Sequence, residues 1–150
     1  MFDDPGHTLA ELVLTCGLIG LLAAITTPLF LSFYTAVRLR VAADQVAALV
    51  NHGRQLGIRE NSGVCVHIGS TALQYRLGSS CGGVAWLGPG TDAVGNMSMP
   101  KGVTLTTTAH PIFSYLGAAA PAATITVKHS GGDGALKVSV AASGRVSVGP

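Results

Sequence analysis

Leu12 to Val37 is a run of 26 residues without a single Asp, Glu, Lys, Arg or His. About 20 predominantly apolar residues suffice to cross the hydrocarbon core of a bilayer, so this run can span a membrane as a helix. It also explains an unusual composition: of 150 residues only 11% are charged and 48% are hydrophobic, where roughly 25% charged is usual in soluble domains. That balance excludes a disordered or collagenous chain and one that holds nucleic acid through massed charge. The length allows one modest domain. A net charge of +2 names no partner, and three Cys are too few for a disulfide-dense scaffold.

A cleaved secretory signal is the competing reading. Such signals open with a basic region and end in a small-x-small cleavage pattern. Met1-Phe2-Asp3-Asp4-Pro5-Gly6 has no base and Thr26-Thr27-Pro28-Leu29-Phe30 lacks the pattern, so a retained membrane helix is expected. Glu11 stands directly in front of the run. A carboxylate at that depth costs about 3 kcal/mol on insertion scales and calls for a partner. The plainer reading is a headgroup-level acid at a helix start, where the helix dipole favours negative charge.

The stretch Gly6-His7-Thr8-Leu9-Ala10-Glu11-Leu12-Val13-Leu14, followed by Gly20-Leu21-Leu22-Ala23-Ala24-Ile25 and Pro28, resembles the class III signal of type IV pilins and type II secretion pseudopilins. Four features share that family's spacing. They are a short leader ending in Gly6, an acid five residues on, an Ile-Gly-x-x-Ala-Ala-Ile core and Pro28 at the far end. The resemblance implies that residues 1–6 are a leader removed by a prepilin peptidase and that the new amino terminus, His7, is N-methylated. Residues 7–36 then stay as a transmembrane assembly helix in the inner membrane. It further implies that Glu11 neutralises the terminal ammonium of a neighbouring subunit, the partners being other major and minor pilins and an inner-membrane assembly platform. Opposite charges attract more strongly in a low dielectric than in water, and removing one strands the other.

The sequence departs from the family at His7, where Phe is usual, and at Asp3 and Asp4, where leaders carry Lys or Arg. The bases nearest the run, Arg38 and Arg40, follow it, so the positive-inside rule alone would put the C-terminal part in the cytoplasm. The signal implies the periplasm, and that orientation is the expectation. Pro28 would interrupt the helical ladder, and Thr26 and Thr27 beside it can satisfy carbonyls it frees. The resemblance implies a segment that flexes on filament packing; a tolerated kink is the plainer alternative.

From Val37 onward Leu39, Ala42, Val46, Leu49, Gly53 and Leu56 recur at steps of three and four, with Arg38, Asp44, Gln45, Asn51, His52, Gln55 and Arg59 on other faces. This predicts an amphipathic continuation of the helix over 37–60, with His52, Arg54 and Arg59 solvated and Gly57 and Asn61-Ser62-Gly63 marking its stop. Beyond Gly63 the period switches to two. Runs at 64–68, 73–77, 84–87, 103–107, 112–116, 124–128, 136–140 and 146–148 predict six to eight antiparallel strands in a head over 61–150. Ser130-Gly131-Gly132-Asp133-Gly134 reads as a hairpin loop. The long Gly-rich loop from Gly88 to Pro100 is a candidate contact surface.

The head resembles the H-type minor pseudopilins of type II secretion and the FimT/FimU-like minor pilins. The carrying residues are Gly53-Arg54-Gln55-Leu56-Gly57-Ile58-Arg59, Val64-Cys65-Val66-His67-Ile68, Pro111-Ile112-Phe113-Ser114 with Gly117, and Ser143-Gly144-Arg145-Val146. The fold class expected is α+β, a long N-terminal helix against an antiparallel β head.

Cys65 falls on a strand outward of the Val64, Val66, Ile68 face, and Cys81 lies before Gly82-Gly83 in a connection. A disulfide between them would close a loop worth about 3 kcal/mol and would favour a periplasmic head; two free buried thiols are the alternative. The histidines show no HxxxH or HxH spacing, there is no CxxC, and acids past residue 40 are only Asp44, Glu60, Asp92 and Asp133. No catalytic, metal or cofactor set emerges, and the chain is read as non-enzymatic. The function expected is that of a minor pseudopilin in a secretion pseudopilus or pilus tip, offering loops to other subunits or secreted cargo. The alternative is a FimT-like minor pilin that takes up DNA. Some of those bind DNA through Gly-Arg-x-Arg, and here Arg145 matches only the first Arg, with Lys128 and Lys137 as companions on neighbouring strands.

Overall fold

The computed structural model describes residues 8–131 and 134–150, side chains at 28, 29, 31 and 32 excepted. Two compact units divide the chain, Met1–Tyr34 and Thr35–Pro150. Helix α1, Leu9–Arg59, contributes to both.

Thr8 caps α1. Its Oγ1 accepts the N–H of Glu11 at 3.3 Å and its carbonyl the N–H of Leu12 at 3.2 Å. Thr8-Leu9-Ala10-Glu11 has capping-box spacing, a start signal that places the carboxylate in the first turn, at the positive end of the dipole. The large apolar side chains from Leu9 to Ile25 stand more than half exposed, and Leu9–Thr27 is long and apolar enough to cross a membrane. Thr26 donates to the Leu22 carbonyl and Thr27 to that of Ala23, at 2.7 Å for the latter. A hydroxyl in a helix reaches the carbonyl three or four residues back, and both of these take the one four back. Neither therefore serves Ala24, the carbonyl that an N–H at Pro28 would have met.

In the second unit α1 buries Leu39, Ala42, Ala43, Val46, Val50 and Leu56. Val50 takes the central place expected for Leu49, which is half-buried, because the buried face steps by four from Ala42 through Val46 to Val50. The helix ends as a Schellman motif around Asn61, whose φ is 48°. The N–H of Ser62 bonds the Gly57 carbonyl at 3.1 Å and that of Asn61 the Ile58 carbonyl at 3.3 Å. Gly57 is thus inside the helix, buried, rather than its stop.

Among the described residues ten strands follow, more than the six to eight expected. They are β1 Val64–Ile68, β2 Ala72–Leu77, β3 Val84–Ala85, β4 Asn96–Ser98, β5 Val103–Thr107, β6 Ile112–Phe113, β7 Ala119–Ala120, β8 Ala123–His129, β9 Ala135–Val140 and β10 Val146–Gly149. They pair antiparallel in two sheets, one ordered β3-β2-β1-β6-β7 with β4 also on β2, the other β10-β9-β8-β5. Strands β4 and β7 are two or three residues long, too short to show a period. The run at 112–116 stops at Phe113 because the N–H of Gly117 bonds the Ser114 carbonyl at 2.8 Å and closes a turn. Alternate residues of both sheets, Val64, Val66, Leu73 and Tyr75 from one and Leu105, Ile125, Val127 and Val138 from the other, meet the buried face of α1 in one core. The β8–β9 hairpin forms at the expected loop, of which Gly132 and Asp133 lie outside the described residues.

Candidate functional site

Gly6 and His7, the expected cleavage and methylation site, lie outside the described residues. Glu11 is exposed in the first turn of α1, and the backbone at Pro28 is helical. The residues after Glu11 carry no charge until Arg38.

Cys65 and Cys81 are bridged, with Cα atoms 5.2 Å apart. Cys65 points away from the Val64 and Val66 face, as expected from alternation, yet it is fully buried. It sits between Arg76 of β2 and Ile112 of β6, and the bridge ties the β2–β3 connection onto this outer side. Cys16 is free and exposed on α1.

Lys128, Lys137 and Arg145 come together on one sheet but not at one point. On β8 the buried residues are Ala123, Ile125 and Val127, so Thr124, Thr126 and Lys128 face out. Lys137 and Ser139 of β9 share that outer face, Lys137 beside Thr126 and Gly149, Ser139 beside Thr124 and Ser147. Arg145, two residues before Ser147, closes the row in a shallow cleft with Thr124 and Ser139. Paired rows of like orientation are about 7 Å apart along a strand, which puts Lys128 and Arg145 about 20 Å apart. The four strands of this sheet carry no acid. Gly144 has a structural reason of its own: its φ is 79°, and a Cβ there would run into the Gly117 carbonyl.

Arg54, expected to be solvated, is half-buried and donates from Nε to that same Gly117 carbonyl at 3.0 Å. His67 and His110 stack with ring centroids 4.5 Å apart, and His110 Nδ1 accepts the Ile68 N–H at 3.1 Å. Burial, then the charges of His110 and Arg76, hold the His67 pKa below its ordinary value. Spacing could not reveal this pair, because one ring comes from β1 and the other from the β5–β6 connection. The Gly88–Pro100 loop is ordered from within: the Asp92 carboxylate accepts the N–H groups of Val94 and Asn96 at 2.9 and 2.8 Å. Its Met97 and Met99 are buried, leaving Val94 as its exposed large apolar side chain, with Leu87 exposed just before the loop. Among the described residues no three His, Cys, Asp or Glu gather as a metal set.

Two antiparallel sheets sharing a core with one N-terminal helix is an arrangement that solved structures repeat. The type IV minor pilin FimU of Pseudomonas aeruginosa matches with TM-score 0.57 at 17% identity, over 79% of this chain and 92% of that one. A second crystal form of FimU gives 0.54 at 18%, over 75% and 93%. The minor pseudopilin EpsH from the Type 2 Secretion System of Vibrio cholerae gives 0.57 at 10%, over 74% and 95%. The fold is pilin-like. No protein-family model and no curated protein matches the sequence, so the pilin-like fold is recognised through three-dimensional structure. Within that pilin-like fold, the apolar first part of α1 fits a single membrane anchor.

Proposed function

We propose that the chain is a minor pilin or minor pseudopilin, a non-enzymatic subunit clipped after Gly6, methylated at His7 and packed into a filament tip by its apolar helix. The observation that carries this reading is Glu11. Thr8 caps it into the first turn of α1, immediately before 26 uncharged residues, in a chain with a pilin-like fold. A carboxylate entering lipid needs a cation, and the new amine of an adjacent subunit supplies one. Prepilin peptidase, an inner-membrane platform and other pilins are the partners, with secreted cargo at the exposed loops. The Cys65–Cys81 bridge favours a periplasmic head, since disulfides persist there and not in the cytosol. Mass spectrometry of the membrane-extracted protein is expected to find methylated His7 as the first residue, and Gly6→Ala to leave the precursor uncut. Glu11→Ala is expected to be processed yet no longer co-purify with other pilins. A mature protein beginning at Met1 overturns the assignment.

The acid-free outer face bearing Lys128, Lys137 and Arg145 favours a second reading, contact with DNA at a pilus tip. Phosphate contacts made by dispersed cations are weak and salt-sensitive. Arg145→Ala is then expected to weaken DNA binding at low salt, and a wild-type protein that binds no DNA removes this reading.

A further inference from the structure

Within the second unit, Arg76, His67 and His110 stand side by side on the outer face of the sheet that holds β1 and β2. Alternation along these strands turns Cys65, His67, Gln74 and Arg76 away from the core that takes Val64, Val66, Leu73 and Tyr75. Gln74 is directly opposite His67, and Arg76 leans toward it, its Nε donating to Gln74 Oε1 at 2.8 Å. That contact brings the guanidinium beside the His67 ring. On the other flank of β1, His110 stacks on His67 with ring centroids 4.5 Å apart. Two bonds from β1 hold it there: the Ile68 N–H donates to His110 Nδ1 at 3.1 Å, and the Val66 N–H to the Pro111 carbonyl at 2.9 Å. Arg76, His67 and His110 are all half-buried.

No acid answers these groups. The charges that act on His67 are those of His110 and Arg76. The described acids of the second unit are engaged elsewhere, Asp44 with Arg40, Glu60 with Arg59 and Asp92 with its own loop. Among the described residues nothing accepts a hydrogen bond from the terminal nitrogens of Arg76 or from the ring of His67. Because His110 Nδ1 accepts an N–H, its neutral ring carries the proton on Nε2, a donor turned away from the backbone of β1. The same tautomer is the wrong one for a metal, which binds the lone pair of one ring nitrogen while the other donates. Donors without acceptors, grouped with like charge, are complementary to an anion. The planar guanidinium matches two oxygens of an oxyanion, and a tetrahedral ion has further oxygens for the rings.

We propose that Arg76, His67 and His110 form a binding site for a small tetrahedral oxyanion, sulfate or phosphate. The terminal nitrogens of Arg76 take two of its oxygens, and ring N–H groups of His67 and His110 take the others. The ion then joins β2, β1 and the β5–β6 connection, so its binding stabilises the folded second unit by mass action. Protonating a ring adds a positive charge facing the ion, and binding tightens as pH falls.

The test titrates the full chain in detergent with sodium sulfate, holding ionic strength constant with sodium chloride and following the histidine ring signals by NMR. Sulfate is the probe because it stays doubly charged from about pH 8 to about pH 6, where histidine titrates. Saturable shifts are expected at His67 and His110 and none at His52 on α1, with tighter binding at the lower pH. Arg76→Gln is expected to weaken binding about tenfold, the worth of one charge-assisted hydrogen bond. Lys137→Gln, on the other sheet, leaves it unchanged. Urea unfolding read through Trp86 establishes that each variant folds; should Arg76→Gln not fold, Arg76→Lys, which keeps the charge and loses the fork, is expected to bind more weakly than the wild type. Glycerol 3-phosphate binding as tightly as phosphate assigns the site to an esterified group, and weaker binding assigns it to the free ion. Ring signals that follow chloride as they follow sulfate mean screening alone and overturn the site, as does a folded Arg76→Gln with undiminished affinity.

Discussion

The Tyr75 hydroxyl, in the middle of β2, donates to the Leu49 carbonyl of α1 at 2.6 Å. The ring is fully buried, and burial pushes the phenol pKa well above its ordinary value, so it remains a neutral donor wherever the protein folds. This bond fixes the helix to the sheet within the second unit, with His52 Nδ1 3.3 Å from the same oxygen. Tyr75→Phe keeps the packing and loses the donor. It is expected to lower stability by about 1 kcal/mol, the net worth of one buried hydrogen bond. Urea unfolding of the full chain in detergent reads it through the single Trp, Trp86, whose ring centroid is 5.8 Å from that of Tyr75. An unchanged midpoint would show the bond to be energetically neutral.

Gly53 decides how closely α1 approaches β1. A Cβ there would be 2.6 Å from Val66 Cγ2 and 3.1 Å from Tyr75 Cε1, and Val66 is itself fully buried. Two effects oppose each other in Gly53→Ala. Helix propensity gains about 1 kcal/mol, while overpacking a filled core costs about 1–3 kcal/mol. A branched, enclosed Val66 cannot swing away, so net destabilisation of about 1 kcal/mol is expected. Combining the change with Val66→Ala, which clears the space, should cost less than the sum of the two single losses in the same unfolding measurement.

The legible parts of this protein are those written as periodicity. A run without charge announced the apolar helix, steps of three and four announced the face of α1 carrying Ala42 and Val46, and alternation located β1, β2, β5, β8, β9 and β10. Strand β7 escaped because two residues have no period, whereas β3 and β6, equally short, fell within longer expected runs. Arg54 escaped because its acceptor, the Gly117 carbonyl, is 63 residues away and exists only once the β6–β7 turn is made. The cations of the β8–β10 face could be named from sequence, but their separation into distant rows follows from register.

His67 makes stability depend on pH. Its folded-state pKa lies below the ordinary 6.5, through burial first and then the charges of His110 and Arg76. The unfolded chain therefore binds this proton more readily than the folded one. Its contribution is complete above the unfolded value and is lost as pH falls below about 6.5 toward the depressed folded value. Asp92, held below 3.8 by the N–H groups of Asn96 and Val94, adds its own loss only at more acid pH. Unfolding midpoints are expected to drop between pH 7 and pH 5 (about two units spanning the histidine range), and His67→Gln to flatten that drop. A variant whose profile parallels the wild type would remove His67 from the account.

The Cys65–Cys81 bridge spans 16 positions of sequence, and a loop of about 15 residues closed in the unfolded chain is worth about 3 kcal/mol. That is a large share of the roughly 5–15 kcal/mol by which a domain is stable. The buried partner is Cys65, between β2 and β6, while Cys81 lies in a half-buried connection. The two single replacements should therefore differ. Cys81→Ala loses the loop closure and leaves a small thiol in a site that accepts one. Cys65→Ala loses the closure and also takes a sulfur out of a fully buried position, so it should be the less stable of the two. Reducing agent should bring the wild type down to the level of Cys81→Ala and leave both variants unmoved. If reduction left the Trp86 unfolding curve of the wild type in place, the bridge would be a passive passenger of the fold.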